Sequence, residues 1–214
     1  IYTTLPKFLK EMDLSEIDKS VVLPIDSIPK QLDELLKDAK YKSKFYQAFK
    51  QEKEYEPKLT YSEFKEYTKG SLQMGATNEI VHAMCFKHPD RFIGFGSVNP
   101  CRPKKEIKET IDKFVDWGFR GVKLLPTLMF FNPEEDRMNI IYERCQKHDL
   151  VLLVHTGCDP GMWEYSPLSE NANPKYLAKP ATDYPNLEII ASHIGAYSSI
   201  NPGIWWEEMI NVME

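Results

Sequence analysis

Two stretches of the chain end in the same way. Residues 151–157 read Val-Leu-Leu-Val-His-Thr-Gly, and residues 187–195 read Leu-Glu-Ile-Ile-Ala-Ser-His-Ile-Gly. Each is a short apolar run that stops on a histidine, His155 or His193, and soon meets a glycine. Imidazole changes its charge near neutral pH, so it can bind a metal ion or move a proton. A run without polar alternation reads as a strand buried on both faces, as in a parallel sheet covered by helices. In such sheets the loops at the carboxyl ends of the strands form the working face. One strand-terminal histidine has an equally good reading as a core residue bonded to backbone. Its repetition in two neighbouring runs favours function.

Three further residues are candidates for holding a substrate, and each has a structural reading beside it. Lys123 lies in the otherwise apolar run 120–125. A buried amine is costly unless paired, so it either anchors an acidic substrate or sends its head over the rim to a carboxylate. Trp163, in the long loop after His155, either walls the site or packs against the rim. Asn99 follows the strand at 91–98 and either contacts substrate or caps the next turn. His82, His88 and His148 fall on helices or helix ends, and His148 suits its helix C-terminus.

The elements that must position these residues alternate. Leu5, Phe8, Leu9 and Met12 predict a helix over 5–14. Residues 17–25 read as a strand ending near Asp26, and Pro29 allows a helix to start after it. A charged helical pattern fills 31–51, whereas 52–69 has no clean period. The region 30–73 is therefore read as a helical insertion, and its Lys/Glu-rich part as a solvated surface or an oligomer contact. A helix capped by Thr77 or Asn78 runs to about His88, followed by a strand over 91–98. The helix over 104–117 turns Ile107, Ile111, Phe114 and Val115 inward, and Gly118 closes it. Pro126 stops the strand 120–125. A helix over 133–148 carries Glu134, Glu135 and Asp136 in its first turn and Lys147 and His148 in its last. A helix over 174–184 leads into the second histidine run, and a last helix occupies 204–213.

This order means a parallel sheet, either closed into a barrel or open and doubly wound. No Gly-x-Gly-x-x-Gly follows a strand, so the barrel is favoured. Composition is that of an ordinary globular chain: 42% hydrophobic and 28% charged. With 27 basic against 32 acidic residues, nothing favours nucleic acid or an anionic membrane. No apolar run approaches the ~20 residues of a membrane span. The four cysteines are scattered without a Cys-x-x-Cys pair, which argues against a disulfide framework and for a reduced, cytoplasmic protein.

Taken in order, these motifs resemble the amidohydrolase-related family, which takes in metal-dependent hydrolases and decarboxylases such as aminocarboxymuconate semialdehyde decarboxylase. The resemblance is carried by Ile17-Asp-Lys-Ser-Val-Val-Leu, His88-Pro-Asp-Arg-Phe-Ile-Gly-Phe-Gly-Ser-Val-Asn-Pro, Gly118-Phe-Arg-Gly-Val-Lys-Leu, Val154-His-Thr-Gly and Ser192-His-Ile-Gly. It implies a (β/α)8 TIM barrel with a divalent metal at the carboxyl ends of its strands. By that pattern His155 is a metal ligand. His193 either completes the coordination or serves as the catalytic residue that orients and deprotonates a metal-activated water.

Two departures stand out. The family's His-x-His pair at the first strand is absent, and so is the aspartate that ends its eighth strand. A barrel of eight units needs roughly 250 residues. The 214 residues are therefore expected to form a single incomplete barrel, about strands 2 to 6 of a longer protein. The expected activity is hydrolysis of a small polar, carboxylated molecule with zinc as cofactor. Non-oxidative decarboxylation in the same site is the alternative, and a non-catalytic barrel relative with a binding or scaffold role is the rival from another class. Pairing into a homo-oligomer through the outer helices is compatible with such a barrel.

Overall fold

The computed structural model describes residues 4–72, 75–157, 169–195 and 205–213. Five parallel strands lie side by side in sequence order: β1 (Ser20–Val22), β2 (Phe92–Gly96), β3 (Gly121–Leu124), β4 (Val151–His155) and β5 (Ile189–Ser192). Helix α1 (Leu5–Leu14) precedes β1. Between β1 and β2 stand α2 (Gln31–Leu35), α3 (Ala39–Tyr55), α4 (Tyr61–Ser71) and α5 (Asn78–Lys87). The later crossovers carry α6 (Lys104–Asp116), α7 (Pro126–Met129), α8 (Asn139–Lys147) and α9 (Ala178–Asp183), and α10 (Trp206–Met213) follows β5. Parallel strands in strict sequence order, joined by helical crossovers, make this a half-barrel. Among the described residues no helix is long and apolar enough to cross a membrane.

Registers assign the two faces of the sheet. Lys123 pairs with Leu153, Leu153 with Ile190, and His155 with Ser192. Paired residues in parallel strands share a face, and alternate residues along a strand share one too. Lys123, Leu153, His155, Ile190 and Ser192 therefore lie on one face. Val122, Leu124, Leu152 and Val154 lie on the other, each at most 1% exposed beneath the helices. The first face is the concave one. It is open enough to leave Ile190 47% exposed, and Val21, on the same face of β1, is also exposed.

Glycine sets how closely the helices approach. A Cβ on Gly96 would lie 2.4 Å from the ring of Phe114. A glycine at that helix-facing position lets α6 bury Ile107, Ile111 and Phe114, each worth about 1.5–3 kcal/mol. Val115, expected inward, is exposed instead, because the stripe of α6 is narrower than the apolar count suggested. Gly118 takes φ +70° after the helix, as its capping role requires.

The region between β1 and α5 is more ordered than its composition implied. The helical pattern from 31 to 51 is broken because Asp38 caps α3, accepting from the N–H groups of Lys40 and Tyr41. The stretch without a clean period contains α4, opened by a capping box in which Thr60 and Glu63 each satisfy the other's backbone N–H. Phe45 and Phe64 pack at 4.9 Å between ring centroids, and Phe49 meets Tyr61 edge-on. These buried aromatics join the main core, so this region has an apolar face as well as a solvated one. Pro126 stops β3 as expected and begins α7. The helix expected over 133–148 starts later. Asp136–Met138 form a 3-10 turn and α8 begins at Asn139, so the acidic residues at 134–136 precede it.

Candidate functional site

His155 is the last residue of β4 and is 4% exposed. Its partner across the ladder is Ser192, not His193. Had β5 continued straight, His193 would have faced the helices, away from His155. The chain turns instead. His193, Ile194 and Gly195 have φ of +72°, +53° and +69°, three successive left-handed residues. That conformation is uncommon for any non-glycine residue and an outlier for a β-branched one, at a cost of order 1–3 kcal/mol each. Its result is that the His193 ring comes to 4.6 Å from the His155 ring, at an interplanar angle of 61°.

The turn is tied to β4 through Thr156. The Thr156 N–H donates to the carbonyl of Ser192 at 3.1 Å, continuing the ladder. The Thr156 hydroxyl donates to the same carbonyl at 2.6 Å and accepts the N–H of Gly195 at 3.1 Å. Gly195 itself is held close to the backbone ahead of α10, where a Cβ would lie 2.6 Å from the Trp205 carbonyl.

Lys123 reaches the same face from β3. It is 5% exposed, and its Nζ donates to Ser192 Oγ at 3.1 Å. Ser192 Oγ in turn donates to the Val154 carbonyl at 2.9 Å. Lys123 is level with Ile190 in the ladder, so its stem climbs two residues, roughly 6.6 Å along the sheet, to arrive beside the histidine end. Lys123, His155 and His193 thus converge at the carboxyl end of three adjacent strands. Neither Thr156 nor Ser192 was a candidate by residue type, although both stand inside the histidine motifs.

Asn99 belongs to a different cluster and is fully buried. Its Oδ1 accepts the Cys101 N–H at 2.9 Å, and its Nδ2 donates to the Asp26 carbonyl and to Gln31 Oε1. All its side-chain polar atoms serve the turn after β2. Asp26 accepts a two-pronged bond from Arg102, with Nε and Nη2 each at 2.6 Å, as well as the Asn99 N–H at 2.7 Å. Those bonds to Asp26 hold the Arg102 guanidinium still more firmly protonated than usual. Cys101 Sγ takes contacts from Arg137 and Gln31, and burial pushes its thiol up. Trp163 lies outside the described residues.

His82, His88 and His148 stay with the helices. His82 stacks on Trp117 at 4.3 Å, His88 ends α5, and His148 ends α8. Burial and the neighbouring Arg144 and Lys147 keep the His148 imidazole below its usual pKa. A cavity of about 490 Å³ opens between the loop after β1 and helices α5 and α6, walled by Asp26, Arg102, Glu106, Lys113 and Trp117. His155, His193, Lys123 and Asn99 do not line it.

Two imidazoles in this arrangement suit a divalent ion as part of its coordination set, since metal–nitrogen bonds of ~2.0–2.1 Å let nearby rings share one centre. Among the described residues no group of three or more His, Cys, Asp or Glu side chains is gathered to complete such a set. Two nitrogens therefore fit a partial site.

The sequence model of the amidohydrolase family matches residues 59–214. No curated protein matches the chain significantly. Among solved structures, the chain is similar to 5-carboxyvanillate decarboxylase of Novosphingobium aromaticivorans, complexed with manganese and 4-hydroxy-3-methoxy-5-nitrobenzoic acid. Identity is 20% over 88% of this chain and 49% of that one, with a TM-score of 0.55. It is also similar to 2,6-dihydroxybenzoate decarboxylase from Rhizobium, at 16% identity over 90% and 57% of the two chains and a TM-score of 0.52. A third is the probable 2-pyrone-4,6-dicarboxylic acid hydrolase of Acinetobacter baumannii with citric acid bound, at 11% identity over 99% and 56% and a TM-score of 0.51. At these identities the likeness is one of fold, and the chain spans about half the length of each of these proteins. The half-barrel is that of an incomplete TIM barrel, and with the family model matching well over half of its residues the chain belongs to the amidohydrolase family.

Proposed function

We propose that this chain carries part of the active centre of a metal-dependent enzyme acting on a small carboxylated molecule. The observation that carries the reading is the approach of the His155 and His193 rings to 4.6 Å at the carboxyl end of adjacent strands. His155 and His193 are the proposed protein ligands of a divalent ion, and His193, the more exposed of the two, also the proton-handling group. When bound, such an ion supplies Lewis acidity and lowers the pKa of water beside it. Two imidazoles suit zinc; manganese, named in two similar structures, prefers a set richer in oxygen ligands.

Lys123 supplies the preference for a carboxylate. An ammonium beside a dication repels it, and a substrate anion placed between them relieves that repulsion. Hydrolysis and non-oxidative decarboxylation both suit a cation, a Lewis acid and a proton-transfer group. Decarboxylation is favoured as a second reading by the carboxylated aromatic substrates in the names of two structurally similar enzymes.

The test is metal binding and product analysis on the full-length protein. His155→Ala and His193→Ala are each expected to lower manganese and zinc affinity by at least about tenfold. Release of labelled CO2 from ring-carboxylated phenols would mark a decarboxylase, and its absence alongside cleavage of esters, lactones or amides a hydrolase. Metal affinity unchanged in both variants overturns the reading.

A further inference from the structure

We propose that Thr156 is a positioning residue that holds His193 beside His155. The inference rests on the reading of these histidines as the metal-binding pair and adds the device that brings them together. It starts from the register. His155 is paired with Ser192, so the alternation of β5 would send the next side chain, His193, to the helix-covered face. Only the left-handed turn at His193, Ile194 and Gly195 returns the imidazole to the concave side, where its ring lies 4.6 Å from that of His155.

A turn of that kind persists only where its surroundings fix it. Thr156 does so at both ends. Its hydroxyl donates to the carbonyl just before the turn, on Ser192, and accepts the N–H of Gly195 at its close. One hydroxyl with one proton and free lone pairs meets both demands at once. Thr156 is itself 1% exposed and directly follows His155, so the group that fixes His193 is attached to the ligand it must face. Among the described residues the Thr156 N–H also donates to the Ser192 carbonyl and Gly195 sits close against the Trp205 carbonyl, but each of these acts on one end of the turn, and the hydroxyl joins the two.

The experiment compares Thr156→Val, which keeps the shape and loses the hydroxyl, with Thr156→Ser, which keeps the hydroxyl. Both are made in the full-length protein, in wild-type and His193→Ala backgrounds. In the metal-free protein, Thr156→Val is expected to lose the slow exchange of the Gly195 amide and the nuclear Overhauser contacts between the His155 and His193 rings, and Thr156→Ser to keep both. With manganese as titrant, Thr156→Val is expected to weaken binding about tenfold in the wild-type background and less than twofold where His193 is already alanine.

Inter-ring contacts that survive in Thr156→Val overturn the proposal. So does an equal loss of manganese affinity in both backgrounds, since that marks a general structural effect. Should wild type bind neither manganese nor zinc while the ring contacts follow the hydroxyl as expected, the positioning role stands and the metal reading falls. Should Thr156→Val not fold, the ring contacts of Thr156→Ser decide, and their loss with the hydroxyl present overturns the role.

Discussion

Lys123→Met removes a charge from the concave face while keeping most of the side chain's length, and the structure sets the sign of two separate effects. On stability, the change is expected to be small or favourable. Lys123 is 5% exposed and donates to Ser192 Oγ, but the Ser192 proton is directed at the Val154 carbonyl and keeps its acceptor when the amine is gone. Ser192 is left with an unused lone pair rather than an unpaired donor. Burying an ammonium carries a desolvation cost that methionine does not, and this offsets the loss of the bond to Ser192 Oγ. A shift of 1 kcal/mol moves Tm by roughly 2–4 °C in a chain of this size, so Tm is expected within about 4 °C of wild type, or above it.

On ligand binding the same change is expected to be costly. A charge-assisted hydrogen bond to a carboxylate is worth about 1.5–3 kcal/mol, which is about 10- to 150-fold in affinity. The assay is calorimetric titration of the manganese-loaded, full-length protein with a hydroxylated benzoate, alongside thermal unfolding of the same samples. A weakened Kd with an unchanged or raised Tm supports the anchor. An unchanged Kd, or a Tm lowered by more than about 6 °C with no selective loss of binding, refutes it and assigns Lys123 to the scaffold.

Two further outcomes test the frame around the site. Gly121→Ala places a Cβ 2.3 Å from the Val151 carbonyl and 2.5 Å from the Phe95 ring, and a backbone oxygen in a ladder cannot step aside. Loss of about 3 kcal/mol is expected, read as a Tm lowered by roughly 6–12 °C; a fall under 2 °C contradicts the packing of β3 on β4. Glu63→Gln tests the cap of α4. Bonds from the Thr60 hydroxyl and N–H hold the Glu63 carboxyl below its usual pKa. A depressed folded-state pKa stabilises above the unfolded value and loses that stabilisation as pH falls through the folded one. Acid unfolding of wild type should therefore steepen below about pH 4.5, and the glutamine variant should flatten that part of the curve. Superimposable pH profiles would exclude the cap as a contributor.

Most of the strands and crossover helices were legible because their signals are local. The double-sided apolar runs at 121–124 and 151–155, the Thr77 cap and the Gly118 stop each depend on a few neighbouring residues. The region from 31 to 71 was legible only in part. Its buried positions, among them Phe45, Phe49 and Phe64, are spread over two helices that meet face to face, and its charges hide the apolar stripe. Asn99 illustrates the limit for a polar residue. Its type and place after a strand fit ligand contact and turn-capping equally, and only the positions of Asp26, Gln31 and Cys101, up to 73 residues away, assign its bonds to the turn.

The histidine pair shows why a correct reading of motifs still leaves the geometry open. Written as sequence, both runs end on histidine, which suggests two equivalent strand ends presenting two equivalent rings. The register makes them inequivalent: Ser192 takes the place level with His155, and His193 is one residue too far along to share its face by alternation. Convergence therefore required a second feature, a reversal of backbone hand immediately after β5, and the sequence carried its ingredients without announcing them. Gly195 accepts a positive φ at no cost, and Thr156 offers a hydroxyl at the end of the neighbouring strand. The strain at His193 and Ile194 is what an unaided strand end would not bear. It follows that Thr156 after the first histidine and the Ile-Gly after the second are parts of one device, in which one strand end supplies the clamp and the other the turn that it holds.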